Sequence, residues 1–138
     1  MMNKELLEIK SNFLIFENQL DKFEYLIELG KSCRGLALEE KNQNNLIIGC
    51  ASQSWVVCNE NNKLFFIDVD SEAHIVRGLL SILKTAISGL SKDEILDLDG
   101  INILNEIGLN NYITSQRMNG FISALNKVQN VVKKYDKN

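Results

Sequence analysis

Residues 55–67 read WVVCNENNKLFFI and carry the clearest β-strand signal in the chain. Two short runs of β-branched and aromatic residues, 55–58 and 64–67, flank the polar segment Asn59–Lys63. Two such runs joined by a polar turn are typical of a β-hairpin. A small antiparallel sheet is therefore predicted near the middle of the chain.

The segment before the hairpin has the periodicity of amphipathic helices. Apolar residues at three- and four-residue steps predict a first helix over 6–20. The capping-box pattern of Asp21 and Glu24 predicts the start of a second, short helix that ends at Gly30 in a left-handed cap. Residues 31–45 have no sustained period and are predicted to form a loop.

The segment after the hairpin is also predicted to be helical. Asp70 and Ser71 suit the N-cap of a helix whose residues 75–83 are so apolar that it should form the centre of the core. Asp68 is expected to help cap the same helix. Short helices are predicted to begin at the Ser91–Glu94 capping box and to end at Gly108, and an amphipathic helix over 118–135 closes the chain.

This order of helices, sheet and helices contains no internal repeat or linker, so it predicts a single α+β domain over residues 1–138. Eighteen acidic and fifteen basic residues give a net charge of −3. No basic cluster indicates nucleic-acid binding. Apolar runs are only a few residues long, which predicts no membrane span, and no signal peptide is recognised, so a cytoplasmic location is expected.

Three cysteines, Cys33, Cys50 and Cys58, are odd in number and form no Cys-x-x-Cys pair, which argues against a disulfide framework and a zinc knuckle. Cys50 lies in the predicted loop before the hairpin, beside the small residues Gly49 and Ala51. Such a loop can present a partly sheltered sulfur to a partner. The residues alone leave two interpretations of Cys50 open, a reactive thiol or a small buried apolar side chain.

A reactive Cys50 would be favoured by a nearby cation that lowers the pKa of its thiol. Arg117, Arg77 and His74 are the candidates. Cys33 and Cys58 are interpreted as structural.

Four blocks of the sequence, in order, resemble the SufE family of sulfur acceptors. The first is Gly49-Cys50-x-Ser52-Gln53-x-Trp55, which is similar to the family's cysteine motif. The others are residues 25–30, residues 70–79 and Arg117-x-Asn119-Gly120-Phe121, so the resemblance runs from about residue 12 to residue 130.

The resemblance implies a fold like that of SufE and of the IscU-type scaffolds. It also implies that Cys50 receives sulfur as a persulfide from a pyridoxal-phosphate cysteine desulfurase similar to SufS, which the chain stimulates. The sulfur would then pass to a SufB-like scaffold complex for iron–sulfur cluster assembly. Gly49, Ala51, Ser52, Gln53 and Trp55 would shape the cysteine loop, with Trp55 expected in the core or lining a cavity.

In the same scheme Arg117 would stabilise the anionic sulfur, and the chain would need no cofactor or metal of its own. Two other functions remain open at this point. Cys50, Cys58, Asp70 and His74 are ligand types suited to an iron–sulfur or zinc-binding scaffold. The second of these functions is a plain interaction module in which the cysteine is inert. The sequence is compatible with both a monomer and a homodimer.

Overall fold

The predicted hairpin is present in the computed structural model, which describes residues 3–135. Strand β1 (Ser54–Asn61) pairs antiparallel with strand β2 (Leu64–Ser71). Asn62 and Lys63 join them, and both have positive φ, as the tight hairpin turn that matches strand twist requires. The strands extend into the segment that was predicted to be the turn. A two-residue strand, β3 (Leu90–Ser91), adds to the other edge of β2.

Six helices accompany this sheet between Asn3 and Tyr135, so the fold is α+β, as predicted. They are α1 (Lys4–Ile15), α2 (Gln19–Ser32), α3 (His74–Ile87), α4 (Lys92–Leu96), α5 (Gly100–Ile107) and α6 (Ser115–Lys133). None of these helices combines the length and the apolarity needed to cross a bilayer. The first two and last three residues of the predicted domain lie outside the described part.

Helix α3 is the buried centre of the core, as its apolar sequence predicted. Its buried side chains pack against the inner face of the hairpin and against α2 and α6. On that inner face β1 contributes Val56, and β2 contributes Ile67 and Val69. The buried residues of α3 are Gly78, Leu79, Leu80, Ile82, Leu83, Ala86 and Ile87.

The boundary between the first two helices differs from the prediction. Helix α1 ends at Ile15, and Asn18 rather than Asp21 caps α2, because the Asn18 side chain accepts a hydrogen bond of 2.9 Å from the Asp21 backbone N–H. Asp21 therefore lies inside the first turn of α2. Leu20, which was assigned to the apolar face of the first helix, lies in α2 and is 65% exposed.

Gly30 is not the left-handed cap that the sequence suggested, because α2 continues to Ser32. It lies where α2 crosses α3, and a Cβ atom on Gly30 would be 2.3 Å from the carbonyl oxygen of His74. Gly78 has the reciprocal position on α3, where a Cβ atom would be 2.0 Å from the carbonyl oxygen of Leu26. The two glycines thus allow the helix backbones to touch.

The predicted N-cap of α3 is also wrong, since Asp70 and Ser71 both belong to strand β2. The N-cap is Ala73, which makes no side-chain capping hydrogen bond. Asp68 pairs with Lys84 at 3.1 Å instead of capping the helix. Both aspartates are thus used for ion pairs across the fold, which the local sequence does not reveal.

The loop between α2 and β1 contains two 3-10 turns, Leu38–Glu40 and Gln43–Asn45. Asp70 anchors this loop to the sheet. Its carboxylate accepts a hydrogen bond of 2.9 Å from the Leu36 backbone N–H and pairs with Lys41 at 3.1 Å. This anchoring fixes the segment that leads to Cys50.

The remaining helix signals are largely confirmed. Ser91 and Glu94 form the predicted capping box at the start of α4. Gly108 ends α5 with a φ of 89°. Helix α6 ends at Lys133, slightly earlier than predicted, and Tyr135 beyond it packs edge-on against Phe65 with ring centroids 5.0 Å apart.

Candidate functional site

Cys50 follows a tight turn at the end of the loop that precedes β1. The buried Ile47 fixes the start of this turn, because its backbone N–H donates a 2.8 Å hydrogen bond to the Ser54 carbonyl. Ile48 is 73% exposed, and Gly49 has a φ of 105°. A Cβ atom on Gly49 would also lie 2.6 Å from Oγ of Ser123, which could rotate away, so it is the backbone angle that requires glycine here.

The turn directs Cys50 into a cavity of about 230 Å³. Three parts of the chain form its wall: the end of the loop, the start of α3 and the start of α6. Cys50 itself is half-buried, which agrees with the partly sheltered sulfur expected from the small-residue loop. The lining residues are Cys50, Ala51, Ser52, Ala73, Val76, Thr114, Gln116, Arg117 and Gly120.

The Cys50 sulfur packs on the backbone of α6. Its thiol donates a hydrogen bond to the Gly120 carbonyl oxygen, with 3.7 Å between the two heavy atoms. Burial raises the pKa of the Cys50 thiol, and a hydrogen bond with the Ser54 side chain offsets part of that increase. The direction is opposite to the lowering that a neighbouring cation would cause, so the resting group is a protonated thiol.

Arg117 is the sequence-predicted cation that the structure brings to this cavity. It lies in the first turn of α6, whose N-cap Thr114 accepts a 3.2 Å hydrogen bond from the Arg117 backbone N–H. The guanidinium carbon lies 5.9 Å from the ring centroid of Phe23, in a cation–π arrangement. Arg117 thus shares the cavity wall with Cys50 while its charge faces an aromatic ring.

The other two candidate cations lie outside this cavity wall. Arg77 pairs with Asp70 at 3.5 Å and donates to the Cys33 carbonyl oxygen. His74 is exposed at the start of α3. Neither belongs to the described residues that line the Cys50 cavity.

The remaining motif residues shape the loop rather than the cavity, apart from Ala51 and Ser52. The Ser52 carbonyl accepts a 3.0 Å hydrogen bond from the Ser54 hydroxyl, and the Gln53 carbonyl accepts one of 3.0 Å from the Glu72 backbone N–H. Trp55 is buried, and Lys41 lies 5.6 Å from its ring centroid. Trp55 is thus buried on the face of β1 opposite to Val56, beside the loop that carries Lys41, and it does not line the Cys50 cavity.

Gly120 is a cavity residue that the sequence placed in a family block without giving it a role, and Thr114 and Gln116 are cavity residues that the sequence did not point to. A signal for Gly120 exists, because glycine inside an exposed helix costs about 1 kcal/mol relative to alanine. A glycine in the second turn of α6 therefore needs a packing reason, and its contact with Cys50 supplies one.

Cys33 and Cys58 are half-buried outside the cavity wall. The Cys33 thiol donates to the Val69 carbonyl oxygen at 3.8 Å. Cys58 lies in β1 opposite Ile67, and burial raises its pKa to about 11. Within residues 3–135, no three His, Cys, Asp or Glu side chains are grouped so that they could hold a metal ion. The four ligand candidates Cys50, Cys58, Asp70 and His74 are thus not assembled into one site.

Comparison with solved structures supports the fold. The solution structure of a hypothetical protein from Thermus thermophilus matches with a TM-score of 0.76. The match covers 97% of both chains at 18% sequence identity. The α+β architecture is therefore shared over essentially the full length of each.

Sequence comparison gives the family. An uncharacterised SufE-like protein of Rhizobium etli is 37% identical over 130 residues, covering 91% of this chain and 88% of the relative. The cysteine desulfuration protein SufE of Wigglesworthia glossinidia brevipalpis is 35% identical over 129 residues, covering 91% and 89%. The model of the SufE family, described as an Fe-S metabolism associated domain, matches residues 7–132. The chain belongs to the SufE family.

Proposed function

We propose that this protein accepts sulfur on Cys50 from a pyridoxal-phosphate cysteine desulfurase and carries it toward iron–sulfur cluster assembly. The family description and the name of the Wigglesworthia relative support a sulfur-transfer role in iron–sulfur metabolism. The donor would be similar to SufS, and the next acceptor would be a scaffold complex similar to SufB.

The observation that carries this proposal is the position of the Cys50 thiol. It is half-buried in a cavity with room beyond the sulfur, and a cationic residue, Arg117, lies on the wall. A carrier needs a thiol that a partner can reach and a space where the added sulfur is shielded from reductants and oxidants. A purely structural cysteine needs neither.

The transfer itself is a thiol exchange. The Cys50 thiol first gives its proton to water or a base, and the resulting thiolate attacks the terminal sulfur of the desulfurase persulfide. One S–S bond forms on Cys50 while the original S–S bond breaks, and the desulfurase cysteine leaves as a thiolate. No net oxidation or reduction occurs. Because burial raises the pKa of Cys50, docking should expose the thiol before it reacts.

The proposal is tested with Cys50→Ser and a desulfurase. The serine variant should unfold at nearly the wild-type urea concentration, because the change is small, and should lose stimulation of cysteine turnover completely. Cys33→Ser and Cys58→Ala are the matched controls, since neither residue lines the cavity. Both should retain stimulation. A Cys50→Ser variant that stimulates the desulfurase as well as wild type would refute the role of this cysteine.

A further inference from the structure

The sulfur of Cys50 occupies the place where any other residue at position 120 would have its side chain. A Cβ atom built on Gly120 would lie 3.0 Å from Sγ of Cys50 and also within 4 Å of the Cα and Cβ atoms of Cys50. Such a distance is shorter than an ordinary van der Waals contact, so one of the two groups would have to move. The missing side chain of Gly120 therefore creates the space that holds the sulfur.

The Gly120 carbonyl adds a chemical preference to this steric one. It accepts the hydrogen of the Cys50 thiol over 3.7 Å. A carbonyl oxygen can only accept, so it needs a proton on the sulfur. A thiolate has no such proton, and neither does the Cβ-bonded sulfur of a persulfide. The contact is thus available to the unloaded, protonated cysteine alone.

We propose that Gly120 is a positioning residue that holds the unloaded Cys50 thiol protonated and sheltered against α6. This inference rests on the proposed function, because an unloaded state has meaning only for a cysteine that accepts sulfur. It assigns the control of Cys50 to a residue that has no side chain of its own. Premature reaction with small thiols and oxidants would be suppressed until the loop moves on docking.

The surrounding charges do not offer another explanation for a sheltered thiol. The loop contributes Ala51 and Ser52 to the cavity, and α3 contributes Ala73 and Val76. Among the described lining residues only Arg117 is charged, and its positive charge would favour the thiolate. The raised pKa of Cys50 agrees with a sulfur that burial against α6 controls.

The first test is Gly120→Ala in a parent protein that carries Cys33→Ser and Cys58→Ala, so that Cys50 is its one cysteine. The added methyl group should displace the Cys50 sulfur toward water, which should lower its pKa toward the ordinary value. A fall of one pKa unit gives about tenfold more thiolate below the pKa. We therefore expect iodoacetamide to react about three- to tenfold faster near neutral pH, with the midpoint of the pH profile shifted downward.

The matched control is Asn119→Ala, because Asn119 is the exposed neighbour in the same helix and does not line the cavity. Its alkylation profile should equal that of the parent protein. If Gly120→Ala shows the same rate and midpoint as this control, or reacts more slowly, the positioning role is refuted.

The second test is a stability cycle with Cys50→Ala, which removes the sulfur. Gly120→Ala should stabilise α6 in that background, since alanine is the better helix former and the space is free. The gain should be smaller or absent when Cys50 is present. Equal effects in both backgrounds would overturn the proposal, and so would failure of Gly120→Ala to fold in both.

If Gly120→Ala folds in combination with Cys50→Ala but not in the protein that keeps Cys50, that result would support the proposal. None of these measurements uses a desulfurase. They can therefore succeed or fail independently of the proposed sulfur transfer.

Discussion

At the scale of single residues, burial has the largest effect on the pKa of the Cys50 thiol, while the Arg117 guanidinium on the cavity wall faces an aromatic ring. The pKa of the thiol is raised, and the Arg117 guanidinium lies over the Phe23 ring. The sequence had predicted that Arg117 would lower this pKa. The geometry instead suggests that Arg117 matters after sulfur has been transferred, when an anion occupies the cavity.

We therefore predict that Arg117→Ala leaves the pH profile of Cys50 alkylation almost unchanged in the unloaded protein. The same variant should lower the fraction of Cys50 that carries sulfur at steady state, because the anion loses its nearest cavity cation. Both quantities can be read by mass spectrometry. Arg34→Ala is the control, since the Arg34 side chain is 83% exposed. A large shift of the unloaded profile would contradict this account.

At the scale of elements, Asp70 joins the loop that leads to Cys50 to the sheet and to α3. Its carboxylate pairs with Lys41 and Arg77 and accepts hydrogen bonds from the backbone N–H groups of Leu36 and Ser71. Burial by itself would raise the pKa of Asp70, but these hydrogen bonds and charges outweigh it and lower the pKa. The ionised form thus stabilises the fold.

We predict that Asp70→Asn lowers the free energy of unfolding at neutral pH by about 2 kcal/mol. This is less than the 3–5 kcal/mol typical of fully buried pairs, because Lys41 and Arg77 are partly exposed. A carboxylate with a lowered folded pKa stabilises above its unfolded pKa and loses this contribution as pH falls through its folded value. The difference between the two proteins should therefore shrink below about pH 4.

Urea unfolding at several pH values measures this difference. Asp68→Asn on the same strand is the control, because its partners Arg34 and Lys84 are more exposed, and it should cost less than about 1 kcal/mol. If the loss of unfolding free energy caused by Asp70→Asn stayed constant as the pH was lowered, the ion-pair role would be wrong.

The crossing of α2 and α3 gives a second prediction at this scale. Gly78→Ala should destabilise the protein by about 3 kcal/mol or more, because its methyl group would meet the Leu26 carbonyl oxygen and both backbones are held in helices. Ser81→Ala, about one turn further along α3, should change stability by less than about 1 kcal/mol. Thermal unfolding of the two variants makes the comparison. Equal melting temperatures would mean that the helices can separate without cost.

These elements also show what the sequence could reveal. The hairpin, the buried α3 and the Ser91–Glu94 capping box were predictable because their signals are local. Asp70 was misassigned because its partner Leu36 is 34 residues away, a separation that no local pattern reports. The motif around Cys50 identified the candidate site, but its contact with Gly120 spans 70 residues and needed the fold.

At the scale of the whole molecule, the site exists only where three distant segments meet. The loop before β1 supplies Cys50, the start of α3 supplies Val76, and the start of α6 supplies Arg117 and Gly120. The core that holds these segments together is the packing of α3 against the hairpin, α2 and α6. The sulfur chemistry that we propose for this site would therefore depend on this packing.

The proposed transfer of sulfur to Cys50 would change the mass of the protein, so mass spectrometry after the reaction tests it directly. The wild-type chain is incubated with a cysteine desulfurase and cysteine, then analysed intact and as peptides without reductant. We expect the mass of sulfur added to the peptide that contains Cys50, and no addition in Cys50→Ser. Sulfur that appears on Cys33 or Cys58 instead, or that persists in Cys50→Ser, would contradict the account.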